Sequence, residues 1–292
     1  MNSSVSKAKI AVIGGDLRQI YTAYEFAKKG YETAIYGFDK FDGKIDLCTK
    51  CTSLSDAINK STAVILPNPV TNDSKTLFTP LSDNRLLLSE IFKYADDSQL
   101  MLGGRVSCLE SEYSKRIIDY FEMEELVIAN AYLTAESAVG IALNEMKVSI
   151  KDVNVLVVGF GRIGKCLCSL LKGMGVNVFA SARKERDFAW IRAYGYSPVE
   201  TGNLCSVVSS CDLIFNTVPE LVLCEDSISC MKKDCVIIDL ASKPGGVDFD
   251  AALSYGIKTV WALALPGKKL PVSAGRVQAK TILNFLDDKG VI

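Results

Sequence analysis

Three glycines are spaced to hold a pyrophosphate. Gly159, Gly161 and Gly164 follow the apolar run Val155-Leu-Val-Val158 and lead into a stretch with helical periodicity, Cys166 to Met174. Gly159 permits a tight turn out of a buried strand. Gly161 lets backbone approach the phosphates, and Gly164 lets the helix pack close to the strand. Arg162 and Ile163, between these glycines, are also assigned to the cofactor, and the first N–H groups of the following helix attract an anion. The expected chemistry is dinucleotide binding, weighed against a glycine turn that is only structural.

The next strand, Val176 to Ala180, ends at Ser181-Ala182-Arg183-Lys184. An NAD site usually carries an acid about 20 residues past the first glycine, to hold the ribose 2′-hydroxyl. Here Ser181, Arg183 and Lys184 stand instead, and they suit a 2′-phosphate. The nearest carboxylate, Glu185, lies between Lys184 and Arg186. NADP is therefore favoured over NAD, the alternative being a solvated basic loop. Two further strands, Asp212 to Asn216 and Val236 to Leu240, end at Thr217-Val-Pro219 and Ala241-Ser-Lys243. Ligands of open parallel sheets sit at the C-terminal ends of strands, so Thr217, Pro219, Ser242 and Lys243 are candidates for the nicotinamide half of the cofactor, and Leu240 is also assigned to cofactor binding.

The chain has 292 residues, ten cysteines and no histidine. Without histidine, proton transfer falls to a carboxylate, Lys, Cys, Tyr or water, and Ser-His or Cys-His nucleophiles are excluded. Cys48 and Cys51 form a single C-x-x-C, which with no second pair and no histidine is not read as a metal site. The net charge of −1 gives no basic face for nucleic acid. No apolar run reaches the roughly 18 residues of a membrane span, and the first residues lack a signal-peptide core. These features predict a cytosolic chain.

The elements that must position these groups read as βαβ units. Lys9 to Ile13 is a strand, Gly14-Gly-Asp-Leu-Arg-Gln19 a turn into a helix reaching Lys29, and Glu32 to Tyr36 the next strand. Arg18 stands where a third glycine would be needed, which argues against a second dinucleotide site. Asp16 is a candidate cap, and Arg18 either an ion-pair partner or an anion contact. Ala63 to Leu66 is a strand ending in Pro67-Asn68-Pro69, Ser82 to Tyr94 a helix, and Gln99 to Leu102 a strand. Ser111 to Phe121 reads as a helix and Leu126 to Ile128 as a short strand. A helix capped by Thr134 then bridges to the nucleotide unit. Lys258 to Ala262 is the last strand, Leu265 to Gly275 a loop and Arg276 to Leu286 a terminal helix. The fold class expected is α/β, with two Rossmann-like doubly wound parallel-sheet domains. The first covers residues 1–130, with the terminal helix (273–292) packed on it; the second covers 131–272. The cleft between two such domains is where catalysis is expected.

Four segments carry a resemblance. They are Ile13-Gly-Gly-Asp-Leu-Arg-Gln19; Asn130 with Thr134-Ala-Glu136; Asp239-Leu-Ala-Ser-Lys-Pro-Gly-Gly-Val-Asp-Phe249; and Leu265-Pro-Gly267 with Pro271-Val-Ser-Ala-Gly275. Together, and in this order, they resemble the family of dipicolinate synthase A subunits, sporulation proteins of endospore-forming bacteria. Leu133 departs from a family proline and Ser137 from a family glycine. The resemblance implies a two-domain fold like that of 2-hydroxyacid dehydrogenases and a mother-cell cytoplasmic location. It also implies a partner, the flavoprotein-like B subunit of dipicolinate synthase. The implied reaction converts dihydrodipicolinate, from the lysine pathway, into dipicolinate by NADP-linked dehydrogenation. The substrate is a small dicarboxylate, so Arg18 and Lys243 are assigned to its carboxylates, with Lys268 a further cation in a candidate cleft loop. Glu136 is assigned as base or as the group orienting one, against the plainer role of a first-turn acid facing the helix dipole. Asp239 is a second candidate base or a loop tie. Two other readings stay open. One is an NADP-dependent 2-oxo- or 2-hydroxyacid oxidoreductase, disfavoured by the missing histidine. The other is a cofactor-binding scaffold whose catalytic groups lie on its partner. A homo-oligomer is compatible with either.

Overall fold

The structure, a computed structural model, describes residues 8–292. The chain divides into two compact units. The first runs through Asn130 and takes back Leu270–Ile292; the second is Ala131–Lys269.

In order along the first unit come β1 (Lys9–Ile13), α1 (Leu17–Lys28), β2 (Glu32–Tyr36), β3 (Thr49–Lys50), α2 (Leu54–Ile58), β4 (Ala63–Ile65), α3 (Leu88–Tyr94), β5 (Leu100–Gly103), α4 (Ser111–Ser114) and β6 (Ile117–Asp119). Helix α5 (Glu124–Glu145) carries the chain into the second unit. There follow β7 (Asn154–Val158), α6 (Arg162–Gly173), β8 (Asn177–Ala182), α7 (Glu185–Ala193), β9 (Ser197–Glu200), α8 (Cys205–Val208), β10 (Leu213–Asn216), α9 (Glu225–Ser229), β11 (Val236–Asp239), α10 (Phe249–Tyr255), β12 (Lys258–Trp261) and α11 (Leu265–Lys269). Helix α12 (Pro271–Asp288) ends the chain in the first unit.

Each unit is built on one six-stranded parallel sheet. The orders are β3-β2-β1-β4-β5-β6 and β12-β11-β10-β7-β8-β9. Strands buried on both faces read as unbroken apolar runs, and period-2 alternation divides their side chains between two cores. Thus Val155 and Val157 of β7 enter one core and Leu156 and Val158 the other. In β1, Ala11 and Ile13 face one way and Ile10 and Val12 the other. In both sheets the strand order reverses beside the first strand, between β1 and β4 and between β7 and β10. The loops leaving those strands diverge there and open a crevice, the usual ligand position of such sheets.

Several expected elements are placed differently. The helix expected over Ser82–Tyr94 begins only at Leu88, because Ser82 is engaged locally: its hydroxyl donates to Asp39 and accepts from Asn84 N. The helix expected over Ser111–Phe121 is one turn followed by edge strand β6. The short strand expected at Leu126–Ile128 lies inside α5. No glycine or proline interrupts residues 124–139, so one helix runs through them, and a short apolar run alone does not distinguish strand from helix. Thr134 is consequently mid-helix and not a cap. The loop expected over Leu265–Gly275 contains α11 and the start of α12, with Pro271 in the first turn, where its missing N–H costs nothing. Strands β3 and β9 were not expected.

Helix α12 packs along α1. Gly275 makes this approach possible: a Cβ there would stand 2.6 Å from both Arg18 O and Tyr21 Cβ. Thr22 donates to Gly275 O, Gln278 to Gln19 Oε1 and Arg276 to Glu25.

Candidate functional site

The second unit's switch point is formed by the turn after β7 and the loop after β10. Gly159 has φ +94°, and a Cβ on it would lie 2.5 Å from Thr217 Oγ1. A Cβ on Gly164 would lie 2.0 Å from Gly159 O, so helix and turn touch through backbone. At Gly161 the opposite holds, since an added Cβ meets nothing within 4 Å. Gly161 is the N-cap of α6 and offers no side-chain cap, and the first turn of α6 carries no acid. A helix of 12 residues thus presents its positive end and first-turn N–H groups to open space, with the Arg162 side chain exposed beside it. These residues fit a pyrophosphate.

Ser181 requires a correction. It is fully buried, accepting from Gly159 N at 3.1 Å and pairing with Thr201 Oγ1 at 3.0 Å. Its hydroxyl fixes the glycine turn from behind and does not face a 2′-phosphate. Arg183 and Lys184 do lie exposed at the end of β8. Arg183 stands 3.6 Å from Glu220, which leaves the β10 loop, with both side chains about two-thirds exposed. Such a pair is worth little and exchanges readily for another anion. Thr217 is occupied by Val158 O at 2.9 Å, and Pro219 and Ser242 are exposed. Leu240 is a second correction: its side chain is packed into the core, so it supports the strand end without presenting a group to ligand.

The loop after β11 is organised by Asp239, which has no exposed surface. Its oxygens accept from Asn216 Nδ2 at 2.8 Å, Ala241 N at 3.0 Å and Gly246 N at 3.1 Å. A carboxylate so occupied is the loop tie of the two roles considered, not a proton acceptor. It holds the segment that projects Ser242 and Lys243, both exposed. Asp239→Asn is expected to turn an amide N–H toward one of those donors and cost about 3 kcal/mol. Denaturant unfolding checks this, and a loss under about 1 kcal/mol would remove Asp239 from this role.

In the first unit the same corner is formed by Gly14, Gly15 and Arg18 after β1 and by Pro67-Asn68 after β4. Gly14 and Gly15 have φ of +63° and +106°. Arg18 makes a two-pronged bond to Asp16, Nε–Oδ1 2.9 Å and Nη2–Oδ2 2.8 Å, and Nη2 also donates to Asn68 O at 2.6 Å. Asp16 caps α1 as expected, through Arg18 N. Arg18 therefore is an ion-pair partner, with its remaining nitrogen uncommitted. Glu136 lies midway along α5, exposed, so the first-turn dipole role does not apply to it. Lys268 lies in α11 rather than in a loop. Among the described residues no group of three or more His, Cys, Asp or Glu is arranged for a metal. Ser181, Thr201, Asn216 and Glu220 work in pairs about 20 residues apart or more, and no local motif announces such pairs.

Comparison with known proteins adds to this geometry. Residues 9–122 match the N-terminal domain of the dipicolinate synthase A subunit, and residues 118–253 match the NAD binding domain of D-isomer specific 2-hydroxyacid dehydrogenases. The dipicolinate synthase A subunit of Bacillus subtilis (strain 168) is 28% identical over 283 residues, 95% of each chain. This chain is a relative of the dipicolinate synthase A subunit.

The crystal structure of the Bacillus subtilis protein matches with a TM-score of 0.86 over 99% of this chain and 98% of that one. The A subunit from Bacillus halodurans matches at 0.83, with 28% identity, over 96% and 97%. Salmonella D-lactate dehydrogenase, 14% identical, shares the fold at 0.62 over 95% of each chain. This dipicolinate synthase relative thus has two Rossmann-like parallel-sheet units, the second a nicotinamide-dinucleotide domain of the dehydrogenase type.

Proposed function

We propose that this dipicolinate synthase relative dehydrogenates dihydrodipicolinate to dipicolinate with NADP⁺, working with a small flavoprotein-like B subunit. One observation carries the reading. The relationship to the Bacillus subtilis A subunit spans 95% of both chains, and within it the Gly161 end of α6 is clear for a dinucleotide.

The dihydropyridine ring must lose one hydride and one proton to become aromatic. When bound, NADP⁺ supplies the two-electron acceptor. The chain's residues do the rest. The backbone at Gly159, Gly161, Arg162 and Ile163 holds the pyrophosphate, and Gly164 holds the helix against it. Thr217, Pro219 and Ser242 border the nicotinamide. Lys243 in the second unit and Arg18 in the first are each a carboxylate contact within its own unit, Arg through paired N–H groups and Lys as a point charge. Glu136 takes the proton or positions the water that does.

The preference for NADP rests on Arg183 and Lys184, with no acid at the end of β8. Replacing both by Ala is expected to raise KM for NADP⁺ about 100-fold and leave KM for NAD⁺ within about threefold, since each charge-assisted bond contributes about tenfold. Equal losses for both cofactors would remove the 2′-phosphate assignment.

The reaction is tested by incubating the purified chain with freshly generated dihydrodipicolinate and NADP⁺, with and without the B subunit, following dipicolinate and NADPH together. Turnover by the chain alone makes the partner an accessory. Turnover only with the partner places part of the machinery there. No dipicolinate in either mixture, with NADPH still bound, overturns the substrate and keeps the dinucleotide domain.

A further inference from the structure

We infer that Asn68 is a second, unrecognised carboxylate-binding group of the first unit, acting beside Arg18 at the switch point between β1 and β4. The inference rests on the dicarboxylate reading above and adds to it a residue that no motif contains.

At this corner stand Asp16, Arg18, Gln19, Asn68 and Tyr120. Both oxygens of Asp16 are taken by Arg18. Gln19 donates to Ile65 O and accepts from Gln278. Buried Tyr120 donates to Leu66 O at 3.0 Å. Two groups remain. Arg18 is bonded through Nε and Nη2 only, so the two N–H groups of Nη1 are uncommitted. Asn68 is only 7% exposed, yet its side-chain amide has no hydrogen-bond partner among the described residues. Its amide still reaches the surface, where an unpartnered amide is open to a ligand oxygen.

The two are held together. Arg18 Nη2 bonds the backbone carbonyl of Asn68, and the Asn68 side chain lies over Gly104, at the end of β5. There a Cβ would come 2.5 Å from Asn68 Cβ and 2.7 Å from Cγ. The place of the Asn68 amide thus depends on residue 104 having no side chain. Because Asp16 already neutralises Arg18, a multiply charged phosphate gains little here. A flat carboxylate matches two N–H groups of a guanidinium plus an amide donor.

The probe is pyridine-2,6-dicarboxylate, titrated calorimetrically into the full chain and into Asn68→Ala and Asn68→Asp. Asn68→Ala is expected to weaken binding about tenfold or more. Asn68→Asp, nearly identical in shape, is expected to weaken it further, because it replaces a donor with a like charge. A packing role would give the reverse order, with the isosteric variant the milder. NADPH affinity and the melting temperature should be unchanged in both. If the wild-type chain binds the probe and both variants bind within twofold of it, or if Asn68→Asp is the milder, the assignment of Asn68 falls while the dicarboxylate reading stands. If the wild-type chain does not bind the probe and forms no dipicolinate, that reading falls and the subsite falls with it.

Discussion

Gly164→Ala is expected to lose at least about 100-fold in NADPH affinity and to destabilise the second unit by about 3 kcal/mol. The added methyl would sit 2.0 Å from Gly159 O, a distance no relaxation of a flexible side chain can relieve, because the atom it meets is backbone. Either α6 moves off β7 or the Gly159 turn deforms. Moving α6 disturbs the packing of Leu167, Cys168 and Leu171, which are buried on the helix's inner face. Overpacking of this kind costs about 1–3 kcal/mol or more. Deforming the turn breaks the bond from Gly159 N to Ser181. Both outcomes displace the N–H groups meant for the pyrophosphate. Gly161→Ala separates fold from function. Its methyl meets nothing within 4 Å, so stability should hold while NADPH affinity still falls at least about tenfold. Fluorescence titration and thermal melting measure both quantities. A Gly161→Ala chain that binds NADPH like the wild type would show that the phosphates lie elsewhere.

Glu136→Gln is expected to lower kcat about 10²- to 10⁴-fold with little change in KM, the signature of a lost general base. The chain has no histidine. Asp239 is saturated by three donors and Asp16 is bound by Arg18, so neither is free to take a proton. Glu136 is exposed, and no ion pair engages it among the described residues. Its amide variant keeps the shape and removes the basicity. Near-full activity in Glu136→Gln would assign the proton to water. The protein would then act mainly by holding hydride donor and acceptor together while aromaticity drives the reaction.

The strands that end at the candidate site were legible because they are short, apolar and buried on both faces. Val155–Val158, Leu213–Asn216 and Val236–Asp239 all appear where their composition places them. The glycine fingerprint was legible because each glycine answers a local demand of backbone geometry. Helix starts were less so: Ser82 and Thr134 are good capping residues by type, yet Ser82 bonds elsewhere and Thr134 lies within a longer helix. Partner identity was least legible. Ser181 reads as a surface hydroxyl beside two cations, but alternation along β8 turns it inward, onto Gly159 and Thr201. Asn216 with Asp239 and Arg18 with Asn68 meet only because neighbouring parallel strands bring their ends together.

The return of α12 to the first unit bears on how the chain is made. Synthesis proceeds from the N-terminus, so residues 8–130 emerge early but lack the helix that covers α1. Until Pro271–Asp288 leaves the ribosome, the α1 surface around Ile20, Ala23 and Phe26 lacks Ala279, Ile282, Leu283 and Leu286, with which it shares a core. The second unit, continuous in sequence, can close beforehand. The nucleotide-binding half is thus free to mature earlier during translation, whereas the half bearing Arg18 and Asn68 is completed only once α12 has emerged.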